Sequence, residues 1–148
     1  MIKRLFRRLF PEKVASIEYF STYPLIFSKG FPQACLGSET RIGLKGGDST
    51  TLFLGVHVHL PESVTMMVLL KPGLCTTRGI VQDFPEMLPP GYRGNLRLRV
   101  TNRSGRTCYF SPENDIALLI PLGGIPVKYT EKALREVDID GFNQLSEY

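Results

Sequence analysis

The residues that could do chemistry in this 148-residue chain are few and widely spaced. His57 and His59 stand two apart, so on a strand both imidazoles face the same side, the usual opening of a zinc site. No further ligand cluster accompanies them, and they read as alternating polar strand positions with no metal. Arg93, Arg97, Arg99, Arg103 and Arg106 recur along one run and the turn after it. Alternating charges of this kind are ordinary on the solvated face of an antiparallel sheet. The chain has no G-x-S-x-G, P-loop or C-x-x-C, hence no familiar nucleophile elbow, phosphate cradle or dithiol.

The two ends offer binding chemistry. Ile2, Leu5, Phe6, Leu9 and Phe10 recur at helical spacing with Lys3, Arg4, Arg7 and Arg8 between them, and Pro11 stops the run. Such a short basic amphipathic helix suits an anionic membrane surface contacted through residues 1–10 or a partner's groove. Packing on its own domain or a neighbouring protomer suits it equally. At the other end, Ser146, Glu147 and Tyr148 place a hydroxyl two positions before an aromatic C-terminus. That is the layout of a PDZ ligand, whose terminal carboxylate enters a backbone nest.

The elements that must position these residues are mostly strands. A length of 148 residues with 43% hydrophobic content predicts one domain with a real core. The division expected is a basic segment at 1–13, a β domain at 14–130 and a tail at 131–148. After residue 13, short β-type runs alternate with Gly, Pro, Asn and Ser punctuation, the pattern of an all-β barrel or jelly roll. Candidate strands are 15–20, 51–60, 64–70, 95–101, 107–110 and 116–121. Turn signals fall at Lys45-Gly46-Gly47-Asp48, Leu60-Pro61-Glu62-Ser63, Pro89-Pro90-Gly91 and Asn102-Arg103-Ser104-Gly105. Cys35, Cys75 and Cys108 are an odd number without metal spacing, and no apolar run near the N-terminus has the length of a signal peptide or span. An intracellular location is expected. The formal charge of +4 is concentrated at the N-terminal segment and at Arg93 to Arg106, and no nucleic-acid partner is expected.

Three stretches together resemble the trimeric dUTPases. Thr51 to Leu74 is similar to the central strands leading into that family's second motif. Pro90-Gly91-Tyr92-Arg93-Gly94-Asn95 resembles the D-Y-R-G turn of the third, and Asn114-Asp115-Ile116-Ala117-Leu118-Leu119-Ile120 resembles the fourth, G-D-R-I-A-Q-L. The resemblance covers about residues 33 to 121 and implies a dUTPase-like distorted jelly roll and a homotrimer.

Residue by residue, the working positions differ from that family. Counting back from Gly55 places Cys35 at the motif-one Asp that organises the metal-bound triphosphate, and a thiol is no hard-cation ligand. Motif two, P-R-S, reads Leu70-Lys71-Pro72; Lys71 keeps a point charge, but the forked geometry and the hydroxyl are gone. Pro89 stands at the general base of motif three and has no titratable group. Tyr92, which in the family floors the deoxyribose, is kept, and its packing against the barrel is the structural reading of that retention. In motif four the Arg is Asp115 and the Gln is Leu118. The fifth motif is represented by Gly141-Phe142 with Asn143 and Gln144. In the related dCTP deaminases a catalytic Glu is needed where this chain has Arg99.

These substitutions imply a non-catalytic interaction protein, not an enzyme and without cofactor. The likeness is then to silent viral dUTPase relatives such as the adenoviral early-region proteins, which bind host signalling or PDZ partners. The alternative is a divergent dUTP or nucleotide pyrophosphatase using relocated acids such as Asp83 and Glu86, or a nucleotide-binding regulator without turnover.

Overall fold

The computed structural model describes residues 14–27, 31–35, 41–111, 115–123 and 126–137. Eleven strands are present among them: β1 (Ala15–Ser21), β2 (Gln33–Cys35), β3 (Ile42–Leu44), β4 (Ser49–His59), β5 (Thr65–Leu70), β6 (Ile80–Gln82), β7 (Glu86–Leu88), β8 (Arg93–Asn102), β9 (Cys108–Phe110), β10 (Asp115–Leu122) and β11 (Val127–Glu131). Among the described residues helix is confined to α1 (Pro72–Arg78) and the short α2 (Leu134–Val137). The strands form a five-stranded sheet in the order β11-β1-β4-β8-β6, a four-stranded sheet in the order β2-β10-β5-β7, and the pair β3-β9. The fold is a distorted jelly roll, as the strand and turn pattern predicts.

Period-two alternation sets which side chains form the core. Leu52, Leu54, Val56 and Val58 of β4 and Leu96, Leu98 and Val100 of β8 face inward from the larger sheet. Met66, Val68 and Leu70 of β5 meet them from the smaller one, with Leu119 of β10 beside them. All are essentially removed from water, each aliphatic side chain contributing roughly 1.5–3 kcal/mol.

Two irregularities bend the sheets. The β4–β8 register shifts between Phe53 and His57, where Gly55 adopts a φ of 64° that a side-chained residue resists. The β2–β10 register shifts between Asp115 and Ala117, so Ile116 and Ala117 are both buried in succession. The last described residues belong to the same body. Strand β11 runs parallel to β1, Lys132 N–H donates to the Tyr19 carbonyl at 2.7 Å, and Val137 is fully buried.

Candidate functional site

Motif positions one, two and four meet at one end of the smaller sheet. Strand β5 ends at Leu70, opposite Ala117 of β10, and the Lys71 N–H continues the ladder by donating to the Ile116 carbonyl at 2.8 Å. Pro72 then takes the first helical position of α1, where its missing N–H leaves no bond unmade, and Gly79 ends the helix at a φ of 69°. On the other side of β10, Asp115 is in register with Cys35 of β2. Leu118 sits two strand positions inward, half-buried opposite Leu69 and Gln33.

This arrangement joins Lys71 to Asp115. The ammonium donates to a carboxylate oxygen of Asp115, 44 residues away in sequence, and both side chains remain partly exposed. They edge a cavity of about 280 Å³ that Thr77, Arg78 and Phe110 also line. The cation standing at the motif-two position is thus matched by an acid of this chain's own, and Arg78 is left as the groove's second cation.

The motif-three turn lies elsewhere. Pro89-Pro90-Gly91-Tyr92 closes on a Tyr92 N–H to Pro89 carbonyl bond of 3.1 Å, with Pro90 and Gly91 (φ 77°) as its central pair, the residues a type II turn selects. Tyr92 is 3% exposed and donates its hydroxyl to the Asn95 carbonyl at 2.7 Å, so it is packed into the core of the jelly roll. Strand β7 pairs Leu88 with Met66, near the start of β5, whereas Lys71 follows its end. Four residues of strand lie between Met66 and Lys71, which sets them roughly 17 Å apart.

The acids between them are held differently. Asp83 accepts from the Thr101 hydroxyl and pairs with Arg99 at 3.4 Å. Glu86 of β7 is half-buried, and burial pushes its carboxyl above the usual value against the opposing pull of Arg97. Sequence reasoning missed Gln82, whose side chain accepts from the Leu70 N–H at 3.0 Å and donates to the Val68 carbonyl at 2.9 Å. It fastens the Asp83 segment to the strand leading into Lys71; an isolated Gln carries no signal of such a role.

His57 and His59 do share a face of β4, opposite Phe20 and Glu18 of β1. His59 Nδ1 lies 3.5 Å from the Glu18 carboxylate. Among the described residues no group of three or more His, Cys, Asp or Glu side chains could hold a metal. Arg93 and Arg97 are half-buried and Arg99 exposed on one face of β8, as alternation predicts. Lys3, Arg4, Arg7, Arg8, Ser146, Glu147 and Tyr148 lie outside the described residues.

No family model matches the chain. It is 26% identical over 123 residues to the deoxyuridine 5'-triphosphate nucleotidohydrolase of Pectobacterium carotovorum, spanning 81% of this chain and 80% of that protein. The enzyme of the same name from Leifsonia xyli is 30% identical over 80 residues, 53% of each. Among solved structures, the Staphylococcus bacteriophage 80alpha dUTPase superposes with a TM-score of 0.63 at 13% identity, over 72% of this chain and 89% of that one. The EIAV dUTPase gives 0.62 at 17% identity, over 72% and 88%. The fold is that of the dUTPases.

The comparisons overturn the expectation of a non-catalytic interaction protein. Chains similar to this one carry the name of an enzyme that hydrolyses dUTP, and the solved dUTPases share its fold. The expectation that the chain is not an enzyme falls with it, and nothing in the comparisons supports host or PDZ partners. The fold brings Lys71, Arg78 and Asp115 to one groove, with Asp83 and Glu86 on a segment that Gln82 fastens to the strand before Lys71.

Proposed function

We propose that the chain is a divergent nucleotide pyrophosphatase of the dUTPase fold, cleaving dUTP or a related deoxynucleoside triphosphate to the monophosphate and pyrophosphate. The observation that carries this is the similarity to a dUTP nucleotidohydrolase across 81% of the chain, on a matching fold. In this reaction a water oxygen bonds to phosphorus, the phosphoanhydride P–O bond breaks, and pyrophosphate leaves with the electron pair. The water's proton needs a base. Pro89 has none to offer, and Asp83 and Glu86 are the carboxylates this reading assigns. Arg99 and Thr101 hold Asp83 in place, and burial raises the basicity of Glu86 toward the working range of a general base.

A magnesium ion held by protein side chains does not fit the described residues: they contain no suitable cluster, and Cys35 stands where the family has its Asp. No step is assigned to one. The homotrimer that the resemblance implies is part of this reading.

Incubation with dUTP and magnesium, with pyrophosphate release followed continuously, tests the reading. Asp83→Asn and Glu86→Gln should each lower turnover, the true base by about 10²-fold or more. Wild-type turnover no faster than the uncatalysed reaction would refute it.

A further inference from the structure

Beside the Lys71–Asp115 cavity, and sharing Thr77 and Arg78 with it, lies a larger groove of about 540 Å³. It is built around two fixed points. Gly79, at the end of α1, lets the turn after β8 approach: a Cβ there would stand 3.2 Å from the Ser104 nitrogen, and the Arg103 N–H donates to the Gly79 carbonyl at 2.9 Å. Gly43 of β3 lies beneath the Tyr109 ring, whose edge would be 3.0 Å from a Cβ, and the Arg41 guanidinium sits 4.0 Å above the centre of that ring. Arg78 is fixed from the other side by donating to the Tyr109 carbonyl at 3.1 Å.

Three arginines, Arg41, Arg78 and Arg106, therefore line one concave surface together with Ser104 and Thr107. No carboxylate lines the groove among the described residues, and none of them pairs with any of the three arginines. This is the reverse of the neighbouring cavity, where Lys71 is neutralised by Asp115. Planar forks held by ring stacking and a backbone carbonyl are the chemistry that binds phosphate oxygens in pairs. The volume lies within the range of small-molecule sites.

We propose that Arg41, Arg78 and Arg106 form the phosphate-binding groove of this chain, taking an oligophosphate, which is the triphosphate of a nucleotide where the pyrophosphatase reading holds. The inference deepens that reading by moving the phosphate chain from Lys71 to the arginine groove. It predicts that inorganic tripolyphosphate, which has no base or sugar, binds there as well.

Titration calorimetry of the full-length protein at 150 mM salt, with tripolyphosphate and with dUTP, tests it alongside a turnover assay on the same preparations. Saturable tripolyphosphate binding is expected, weakened about tenfold or more by Arg106→Gln and by Arg41→Gln. The exposed control Lys128→Gln should leave affinity within about twofold, since screening leaves a distant charge little reach. Thermal melts matching the wild type establish that the variants are folded. Tighter binding of dUTP than of tripolyphosphate would identify a nucleotide as the source of the phosphates, and equal binding would identify a free oligophosphate. Either supports the groove. Absent tripolyphosphate binding, binding indifferent to both substitutions, or dUTP turnover with an unchanged KM in both variants overturns it. Arginine-dependent binding without turnover would instead leave the groove standing and refute the pyrophosphatase reading.

Discussion

Among the described residues Asn102 is the fully buried polar side chain, and it ties the turn after β8 to β3. Its amide nitrogen donates to the Leu44 carbonyl at 2.8 Å and to the Arg106 carbonyl at 2.7 Å, while its oxygen accepts from the Ser104 N–H at 2.9 Å and the Ser104 hydroxyl at 2.7 Å. Asn102→Ala removes all four bonds at once. The Arg106 carbonyl keeps a bond from the Ser104 hydroxyl at 3.0 Å, but the Leu44 carbonyl and the Ser104 N–H lose these partners. Two such groups at ~1–3 kcal/mol each give an expected loss of about 2–6 kcal/mol. For a domain of this size that is a fall in Tm on the order of 10 °C. Asn102→Asp should cost more, because a carboxylate cannot donate to either carbonyl and places charge against both. Ser104→Ala, which leaves the amide in place, should cost about 1 kcal/mol. Circular dichroism melts at one fixed protomer concentration measure all three. A fall of less than about 3 °C for Asn102→Ala would refute the reasoning that this turn is clamped by the amide.

Three other outcomes are expected. Gly91→Ala should destabilise by about 1–3 kcal/mol in urea denaturation, since φ is 77° and the new Cβ would stand 2.6 Å from a Glu62 carboxylate oxygen. Glu86 holds its proton to higher pH in the fold than in the unfolded chain, so stability should fall as pH rises above about 4.5 through its raised value; Glu86→Gln should flatten that slope in denaturation curves taken across the range. Burial pushes the Tyr129 hydroxyl up to about 12, so phenolate absorbance should show a late-titrating tyrosine that Tyr129→Phe removes.

The long strands were legible because one face of each is buried. In β5, from Leu52 to Val58 of β4 and from Leu96 to Val100 of β8, every second residue is apolar and interior, which is the signal that alternation carries. The turn residues were equally plain: Gly47 and Gly91 adopt the positive φ that their sequence context predicts. The three-residue strands β2, β3, β6 and β7 were not legible, since each exists through its partner across the sheet, whereas β9, equally short, was expected at 107–110. Strand β11 pairs with β1 across more than a hundred residues, beyond the reach of any local pattern. Helix α1 did carry a signal, Pro72 at its first position and Gly79 after its last, which lay within a stretch aligned to a phosphate-binding motif. The candidate site was legible as positions and not as a constellation. Lys71 and Asp115 each read as a departure from the family pattern, and only the pairing of β5 with β10 shows them to be one ion pair.

Pyrophosphate release from dUTP by the purified full-length protein tests the central claim most directly. Turnover abolished or strongly reduced by Glu86→Gln or Asp83→Asn, with the variants folded, is the predicted result. Release indistinguishable from the protein-free reaction, or turnover untouched by both substitutions, would contradict the account.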